Sequence, residues 1–401
     1  MCSKESEKII IYNREKIDLK SEIKRLKLSE QDDAVNLCDL TNIIKKFEIW
    51  EKHFPQIKPY YAIKCNDESP VLKIMSSLGA GFDCASKNEI EKVLKIGVHP
   101  NRIIYANPMK SKSFIKHAKS KNVTDSTVDN EFEIYKMFKH YPTSNVILRF
   151  RSDAKKVLSP LGNKFGCDAN ENAAALILLT KSLNMNMIGL SFHVGSGCLE
   201  LEAYERAIST GSSLYKFGKF IDHNLKVLDI GGGFPGDDDV MFANIAEIVN
   251  KALAKYFAGI DVDVIAEPGR FFVHTAYTNV SKVYAKREIR ADDGKHEKTM
   301  YYVNDGVFGT FSCTLYEDLL IEAIHFKDEK SELFDSFIWG PTCDGCDKIL
   351  ESVRLPNLEE GDLLAFPNMG AYTVPIMNDF NGFDRPKTIF YLRSDYIHCI
   401  Y

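Results

Sequence analysis

The sequence predicts an α/β protein with a (β/α)8 TIM-like barrel and a mostly-β C-terminal domain that is completed by the N-terminal segment. Three observations support this. Short β-branched or aromatic runs alternate with longer helical patterns over eight successive units, and the alternation stops after Arg270. The length of 401 residues suits two domains. We expect the barrel at residues 36–275 and the β domain at residues 1–35 and 276–401.

The eight expected barrel strands share a short apolar or β-branched run bounded by turn residues. They are residues 59–64, 81–86, 103–107, 126–130, 146–150, 188–194, 227–231 and 264–267. The helical patterns between them carry apolar residues at steps of three and four, as at Phe132, Tyr135 and Phe138. This alternation implies parallel strands with helical crossovers, for which an open doubly wound sheet is the alternative.

The pattern changes after the eighth unit. Residues 271–285, 300–303 and 388–392 have the composition of strands, and crossover helices are no longer evident. The charged stretch 286–298 is typical of an exposed hairpin tip or a mobile loop. A mostly-β domain is therefore expected in this part of the chain.

Composition excludes several classes of protein. The net charge is −5, which gives no reason to expect a nucleic-acid partner. The longest apolar run, residues 173–179, is far shorter than the roughly 20 residues that span a bilayer, so no membrane segment is expected. The local basic run Lys110, Lys112, Lys116, Lys119 and Lys121 is interpreted as a solvated helix face.

A cytosolic location is expected. The first eight residues are charged and lack the apolar core of a signal peptide. The ten cysteines follow no disulfide framework, which favours free thiols in a reducing compartment.

Ionisable or glycine-rich positions end six of the eight expected strands. In a barrel, these C-terminal strand ends converge on one opening, where the chemistry takes place. The positions are Lys64, Asp83 with Ser86, Arg149, His193 with Ser196 shortly after it, Gly231–Gly233, and Glu267 with Gly269 and Arg270.

Two of these positions suit a phosphorylated carbonyl cofactor. Lys64 is either a surface lysine with a buried stem or an amine placed to form a Schiff base. The triplet Gly231–Gly233 is either a tight turn or a backbone cradle for phosphate, to which Ser196 and Arg270 add a hydroxyl and a guanidinium group. It is not a GxGxxG fingerprint, so a dinucleotide site is disfavoured.

Glu267 and His193 suit the ring of such a cofactor. A carboxylate beside a pyridoxal ring nitrogen favours the protonated ring, which is the better electron sink. Glu267 can instead pair with Arg270, and His193 can be either a core imidazole or a residue that stacks on an aromatic cofactor.

The CxxC sequence Cys343–Cys346 has three interpretations. No second CxxC or paired histidine lies nearby, which argues against zinc, and no metal site is expected. A lone cysteine is usually inert packing. Cys343 beside Asp344 can also serve as a thiol proton donor with an adjacent charge.

Seven segments together resemble the eukaryotic ornithine decarboxylases, which are fold type III decarboxylases dependent on pyridoxal 5′-phosphate and related to alanine racemase. They occur in the family's order and span nearly the whole chain. The segments are YAIKCN (61–66), GFDCAS (81–86), SFHVGSG (191–197), GGGFPG (231–236), EPGR (267–270), WGPTCD (339–344) and NMGAY (368–372).

The resemblance implies a role for each matching residue. Lys64 would carry the cofactor, with Asp83, Glu89 and Arg149 lining the pocket, His193 against the ring and Glu267 at the ring nitrogen. The phosphate would be held by Ser196, Gly231, Gly232, Gly233, Arg270 and Tyr372. Cys343, for proton handling, and Asp344, for the distal amine of a basic amino acid, would come from the partner subunit of a homodimer with shared active sites.

Two departures concern the substrate. The family usually has a tyrosine–aspartate pair where this chain has Tyr316 and Glu317, and Phe308 stands where tyrosine is common. The extra methylene of Glu317 leaves arginine or lysine open as the substrate in place of ornithine.

Two further expectations concern regulation. The resemblance also covers catalytically inactive, antizyme-binding homologues, and the region 110–121 matches the part of the family that antizyme contacts. No long degradation-directing tail is expected after the last predicted strand.

Overall fold

The computed structural model describes residues 8–152, 154–159, 162–294, 296–317 and 319–400. The expected absence of a signal peptide concerns mostly residues 1–7, which lie outside the described part. The strands are β1 (Ile9–Tyr12), β2 (Val35–Asp39), β3 (Ile57–Ala62), β4 (Gly81–Cys84), β5 (Ile103–Tyr105), β6 (Asp125–Val128), β7 (Asn145–Arg149), β8 (Val157–Ser159), β9 (Asn186–Ser191), β10 (Ser196–Cys198), β11 (Val227–Asp229), β12 (Asp263–Ala266), β13 (Tyr277–Arg290), β14 (His296–Val303), β15 (Ile324–His325), β16 (Leu333–Trp339), β17 (Lys348–Pro356), β18 (Leu363–Phe366) and β19 (Lys387–Arg393).

The α-helices lie mainly between the first twelve strands. They are α1 (Leu19–Leu26), α2 (Leu40–His53), α3 (Ser69–Ser77), α4 (Lys87–Lys95), α5 (Lys112–Ser120), α6 (Glu131–His140), α7 (Ala173–Ser182), α8 (Glu202–Phe220), α9 (Asp239–Tyr256) and α10 (Arg270–Val273). No helix in the described ranges combines the length and the hydropathy that a membrane crossing requires.

The chain forms two units. Lys45–Phe272 is one, and Met1–Ile44 together with Val273–Tyr401 is the other. We call them the barrel unit and the β unit. The domain limits expected at residues 36 and 275 remain a prediction.

The barrel unit contains a closed eight-stranded sheet in the order β11-β12-β3-β4-β5-β6-β7-β9. All neighbouring strands are parallel. The barrel prediction is therefore confirmed, and the doubly wound alternative is wrong. Each strand lies within a few residues of its predicted position, because a β-branched run flanked by turn residues locates a buried parallel strand well.

Apolar side chains fill the barrel interior near the end opposite to the predicted site. Ile104, Ile147 and Ile265 form a buried layer, and the ring of Tyr60 packs against it. The ring occupies space that a side chain on the neighbouring strand would need, since a Cβ on Gly81 would lie 2.4 Å from it. Gly81 is thus required by packing at this position.

Helix α6 is present as its apolar spacing predicted, but the residues that indicated it face solvent. Phe132, Tyr135 and Phe138 are exposed, Phe132 by 88%. The helix instead buries Ile134 and Met137, which lie on the other side. Apolar spacing alone could not tell which of two apolar faces meets the barrel.

Lys110 also departs from the sequence interpretation. It is 2% exposed, so it does not belong to a solvated face, whereas Lys112, Lys116 and Lys119 are exposed. Its Nζ donates to the carbonyls of Thr127, at 2.7 Å, and Asn107, at 3.1 Å.

The β unit is built on a mixed sheet in the order β1-β19-β2-β13-β14-β16-β17, with β18 also pairing with β13. β13 and β14 form the predicted hairpin around the charged stretch, and both strands extend into that stretch. The prediction of a strand over residues 271–285 is wrong at its start, where α10 and a 3-10 helix, His274–Ala276, precede β13. Aromatic and β-branched residues in Phe271–Tyr277 gave this segment a strand-like composition.

No disulfide links the cysteines in the described residues, as expected. Seven of them are buried, and Cys343 and Cys346 are exposed. Cys2 lies outside the described part.

Candidate active site

Lys64 and Asp83 form an ion pair at the C-terminal end of the barrel strands. β3 ends at Ala62, and a short 3-10 helix, Ile63–Cys65, places Lys64 just beyond it. The Lys64 Nζ lies 2.5 Å from Oδ2 of Asp83, which is on the neighbouring strand β4. Asp83 is buried, whereas Lys64 is partly exposed. Asp83 therefore fixes a reactive amine at the barrel opening.

The other oxygen of this aspartate has a different environment. Within the described residues, Oδ1 of Asp83 is buried and has no hydrogen-bond partner. A buried polar atom without a partner is costly unless a ligand or water satisfies it. The position suits a polar ligand between the strand ends.

Glu89 lies beside this pair on α4. Ser86 caps the helix by accepting a hydrogen bond from the Glu89 N–H. The Glu89 carboxylate accepts a hydrogen bond from the Ala85 N–H. Burial raises the pKa of Glu89, and the charge of Asp83 raises it further.

Asp229 and Glu267 form a buried acidic pair on two neighbouring strands. Asp229 ends β11, and Glu267 follows β12, which pairs with β11. Burial raises the pKa of Asp229 to about 7, which a hydrogen bond from the Gly231 N–H partly offsets. Burial and the charges of Asp229 and Asp83 hold the pKa of Glu267 well above its usual range. A cation placed beside this pair would be stabilised by it.

The turn Gly231–Gly233 has no space for side chains. A Cβ on Gly232 would lie 2.7 Å from the Glu267 carbonyl oxygen and 2.9 Å from Nε2 of His193. Gly231 and Gly233 also adopt positive φ, +66° and +103°. Only glycine satisfies both conditions, so the turn leaves backbone accessible at the barrel opening.

His193 is held as a neutral imidazole. Burial lowers its pKa well below the usual value, and the nearby charges of Arg149 and Lys64 lower it further. Its Nδ1 accepts a hydrogen bond from the Gly195 N–H at 2.9 Å, so the ring proton resides on Nε2. The Ser152 hydroxyl donates to the His193 carbonyl at 3.1 Å. The first bond orients the imidazole ring, and the second holds the backbone of His193.

The remaining predicted barrel residues occupy nearby strand ends or the segments that follow them. Arg149 ends β7, and its guanidinium carbon lies 5.5 Å from the ring centre of Phe165. Ser196 begins β10, which follows the segment containing His193. Arg270 begins α10 directly after the eighth strand and is buried.

Four further predicted residues lie on two loops of the β unit. Cys343 and Asp344 are exposed on the loop between β16 and β17. Tyr316 and Glu317 follow a 3-10 helix, Thr310–Leu315, and Tyr316 is exposed. Their predicted roles at a shared active site remain a prediction.

Tyr372 lies on a third loop of the β unit, and its backbone has a positive φ of 56°. The loop is anchored by Gly370, whose N–H donates to the His274 carbonyl at 3.1 Å. A Cβ on Gly370 would lie 1.7 Å from the Val273 carbonyl oxygen. The close backbone approach at Gly370 fixes the start of the turn that contains Tyr372.

Sequence reasoning missed two residues that shape the glycine turn. Asp229 immediately precedes the turn, and its signal was an aspartate at the end of a buried strand. Tyr204 is fully buried on α8, and its hydroxyl donates to the Gly232 carbonyl at 3.3 Å. No sequence pattern distinguishes this tyrosine from an ordinary core aromatic residue.

This arrangement fits pyridoxal phosphate. An amine is available for the aldehyde, a buried acid for a ring nitrogen, and a glycine turn without side chains for a phosphate group. The buried Asp83 oxygen without a partner is consistent with a polar ligand at this place. The barrel and its site therefore define a pyridoxal-dependent enzyme.

Comparison with known proteins agrees with this class. Residues 40–274 match the family model described as "Pyridoxal-dependent decarboxylase, pyridoxal binding domain". Ornithine decarboxylase 2 of Drosophila melanogaster is 51% identical over 95% of this chain and 98% of its own length. Antizyme inhibitor 2 of Xenopus laevis is 43% identical over 92% of this chain and 83% of its own.

A solved structure shows the same fold. Arginine decarboxylase of Paramecium bursaria Chlorella virus, bound to agmatine, has a TM-score of 0.87 and 34% identity over 93% of this chain and all of its own. The chain belongs to the pyridoxal-dependent decarboxylases, in the family that includes the eukaryotic ornithine decarboxylases. It is a pyridoxal-phosphate-dependent amino-acid decarboxylase.

Proposed function

We propose that this chain decarboxylates L-ornithine to putrescine and carbon dioxide, a reaction of polyamine biosynthesis. The observation that carries the proposal is the Lys64–Asp83 ion pair at the same end of the barrel as the buried Glu267. The 51% identity to an ornithine decarboxylase supports the choice of substrate. The test is release of carbon dioxide from L-ornithine by the purified, yellow protein. A colourless protein that stays inactive with added cofactor would contradict the proposal.

Pyridoxal phosphate, when bound, supplies the electron sink for the pair of electrons that the departing carboxylate leaves behind. Lys64 would hold the cofactor aldehyde, and Glu267 would favour the protonated ring nitrogen. His193, as a neutral imidazole, would lie against the ring without adding a competing positive charge. Arg270, Ser196 and the glycine turn would hold the phosphate.

The remaining roles belong to the β unit. The Cys343 thiol donates a proton to the substrate carbon that has lost its carboxylate, and Tyr372 contributes to phosphate binding. Asp344, Tyr316 and Glu317 bind the distal amine of the substrate. A carboxylate opposite a distal cation selects basic amino acids over neutral ones.

Arginine or lysine is the alternative substrate. Glu317 is one methylene longer than the family's usual aspartate, and the viral relative at 34% identity is an arginine decarboxylase. Values of kcat/KM for the three amino acids, measured in parallel, decide between them. A preference for ornithine of less than about tenfold would argue against the ornithine assignment.

We propose a homodimer with shared active sites. Several large apolar side chains of the β unit are exposed, and a partner subunit would cover them: Leu315, Tyr316, Leu320, Ile376, Phe380 and Phe383. Mixing inactive Lys64→Ala and Cys343→Ala variants tests the sharing, because hybrid dimers contain one intact site. Activity should return to about a quarter of the wild-type value if subunits exchange freely. No recovery under conditions where exchange is demonstrated would contradict shared sites.

We propose that antizyme binds the surface of α5 and α6. Phe132, Tyr135 and Phe138 form an exposed aromatic stripe on α6, and α5 carries exposed lysines. The identity to an antizyme inhibitor is consistent with such a partner. A Phe132→Ser/Tyr135→Ser variant should lose antizyme in a pull-down and retain decarboxylase activity. Retained binding would exclude this surface. An inactive wild-type protein that binds antizyme would favour an inactive antizyme-binding homologue.

We further propose a cytosolic location. The free thiols of the described residues suit a reducing compartment. Fractionation of cells that express the tagged protein tests this, and recovery with a membrane or secreted fraction would contradict it.

A further inference from the structure

Cys346 has no role in the proposed reaction, yet its thiol is exposed on the same loop as that of Cys343. The other seven cysteines of the described residues are buried, so these two are the thiols that a soluble reagent can reach. They share one loop between β16 and β17 and are separated by two residues. A substrate site must admit small molecules, so Cys343 remains accessible to a small oxidant in the proposed dimer.

The loop is closed by Asp347. Its Oδ1 accepts a hydrogen bond from the Val307 N–H, and its Oδ2 accepts one from the Thr342 N–H, both at 2.8 Å. The Gly340 N–H donates to the Asp347 carbonyl, also at 2.8 Å. Asp347 is buried and has no room to move toward Gly340, where a Cβ would lie 2.2 Å from Oδ1. The ends of the segment that holds both cysteines are therefore fixed.

The chain turns at Cys346. The Asp347 N–H donates to the Asp344 carbonyl at 3.1 Å, so Gly345 and Cys346 are the central residues of a tight turn that Cys343 directly precedes. The Asp344 carboxylate accepts a hydrogen bond from the Cys346 N–H at 2.8 Å. A Cβ on Gly345 would meet no atom within 4 Å, so the loop has space to adjust. A disulfide needs Cα atoms less than about 7 Å apart, a separation that two cysteines three positions apart reach in a bent loop with room to move.

We propose that Cys343 and Cys346 form a site of reversible oxidation, at which a peroxide converts the two thiols into an intraloop disulfide. The Cys343 thiolate attacks one peroxide oxygen, the O–O bond breaks, and Cys343 becomes a sulfenic acid as hydroxide leaves. The Cys346 sulfur then attacks the Cys343 sulfur, an S–S bond forms, and water leaves with the Cys346 proton. One peroxide is reduced and two thiols are oxidised, so the electrons balance.

The hydrogen bonding of Cys346 determines which thiol reacts second. The side-chain hydrogen bond with Asp344 raises the pKa of the exposed Cys346 thiol, which favours its protonated form. A protonated thiol reacts slowly with peroxide, so Cys346 acts second, as the resolving thiol. Excess dithiol reverses the reaction by thiol–disulfide exchange.

The effect on catalysis rests on the proposed function. The disulfide removes the thiol that donates the proton to the substrate carbon, and it tightens the loop that carries Asp344. Full conversion should lower kcat by about a hundredfold or more, the usual contribution of a positioned proton donor. Cys346 protects the enzyme, because the disulfide is reversible whereas further oxidation of a sulfenic acid is not.

The experiment exposes the purified holoenzyme to hydrogen peroxide and follows peptide maps and activity together. We expect a peptide linked through Cys343 and Cys346, lighter by two hydrogen atoms, and a loss of activity that matches its abundance and is reversed by dithiothreitol. Cys346→Ser should keep its basal activity but form sulfinic acid at Cys343 and lose activity irreversibly.

Absence of the linked peptide, or full recovery of oxidised Cys346→Ser by dithiothreitol, would overturn the proposal. Peptide mapping does not depend on decarboxylase activity. A linked peptide in a protein inactive toward every basic amino acid would support the disulfide site and count against the proposed function alone.

Discussion

Asp229 and Glu267 place two buried carboxyl groups on adjacent parallel strands at the opening of the barrel. Burial is the largest cause of the raised pKa of both groups, and for Glu267 it outweighs the opposing charges of Lys64 and Arg149. Two like charges in a buried place cannot both be fully ionised at low cost. A positive charge beside the pair, such as that of a protonated ring nitrogen, would therefore be stabilised by these carboxyl groups.

Asp229→Asn should remove part of the pH dependence of stability of the cofactor-free protein. A carboxyl group whose folded pKa is raised costs nothing below its unfolded pKa, and stability is lost as pH rises from 3.8 to about 7. The variant lacks this loss, so its stability relative to wild type should increase from about pH 4 to about pH 7 and stay constant above that, as measured by urea unfolding. If the difference in the free energy of unfolding between the two proteins does not change with pH over this range, Asp229 is ionised throughout.

Lys64→Arg should abolish activity while leaving the fold intact. Arginine keeps the positive charge beside Asp83 but cannot form a Schiff base with an aldehyde. We expect kcat/KM to fall by about a thousandfold or more, with loss of the cofactor absorbance band. Lys58→Arg is a matched control on the same strand, since Lys58 is exposed near the other end of β3. Equal losses in both variants would contradict a specific role for Lys64.

Gly232→Ala should weaken cofactor binding. The added Cβ would clash with the Glu267 carbonyl oxygen and with the His193 ring, and neither group can move away freely. We expect the Kd for pyridoxal phosphate, measured by absorbance titration, to rise about tenfold or more. Gly218→Ala is the control, because its Cβ would come closer than 3 Å only to Cδ1 of Leu225, the end of a flexible side chain. A cofactor affinity that is unchanged in Gly232→Ala would contradict close backbone approach to the ligand.

Lys110→Met should destabilise the protein, because it leaves Glu133 buried beside only Lys136. We expect a loss of about 3–5 kcal/mol in the free energy of unfolding. Burial lowers the pKa of Lys110 to about 8, which indicates that the charged lysine is itself costly here. Lys110→Met/Glu133→Leu should therefore recover most of the loss in urea unfolding. A double variant as unstable as the single one would show that the ion pair is a net source of stability.

Glu317→Asp should increase the preference for ornithine. Aspartate is the usual residue of the ornithine decarboxylases at this place, and the change moves the carboxylate by one methylene relative to the distal amine of the substrate. We expect the ratio of kcat/KM for ornithine to that for arginine to change by about tenfold. Glu322→Asp, an exposed position in the same region, is the control. A ratio unaffected by Glu317→Asp would remove Glu317 from substrate selection.

The barrel could be predicted because its strands are short, buried and bounded by turn residues. The composition of each segment therefore indicates both that it is a strand and where it begins and ends. Where both faces of an element are apolar, as in α6, spacing could not reveal which face is buried. Lys110 shows the same limit, since a lysine in a basic run gives no local sign that Glu133 and two backbone carbonyls enclose it. Burial of a charge depends on residues distant in sequence.

The site could be predicted where a reactive side chain ends a strand, because parallel strand ends converge in a barrel. Lys64, Asp83, His193 and Glu267 were all located in this way. The contribution of Tyr204 could not be predicted, since it depends on how α8 packs behind the glycine turn. The closure of the Cys343 loop by Asp347 likewise depends on a backbone N–H from a different loop, that of Val307.

The pairing of β1 with β19 brings Ile9 opposite Phe390, so two strands that are far apart in sequence lie side by side in one sheet. During synthesis, β1 must therefore wait until β19 has left the ribosome before it finds its hydrogen-bond partner. Such long-range pairing slows folding and leaves strand edges open meanwhile. Newly made chains should consequently depend on chaperones more than the finished enzyme does, and early termination should yield products that are rapidly degraded.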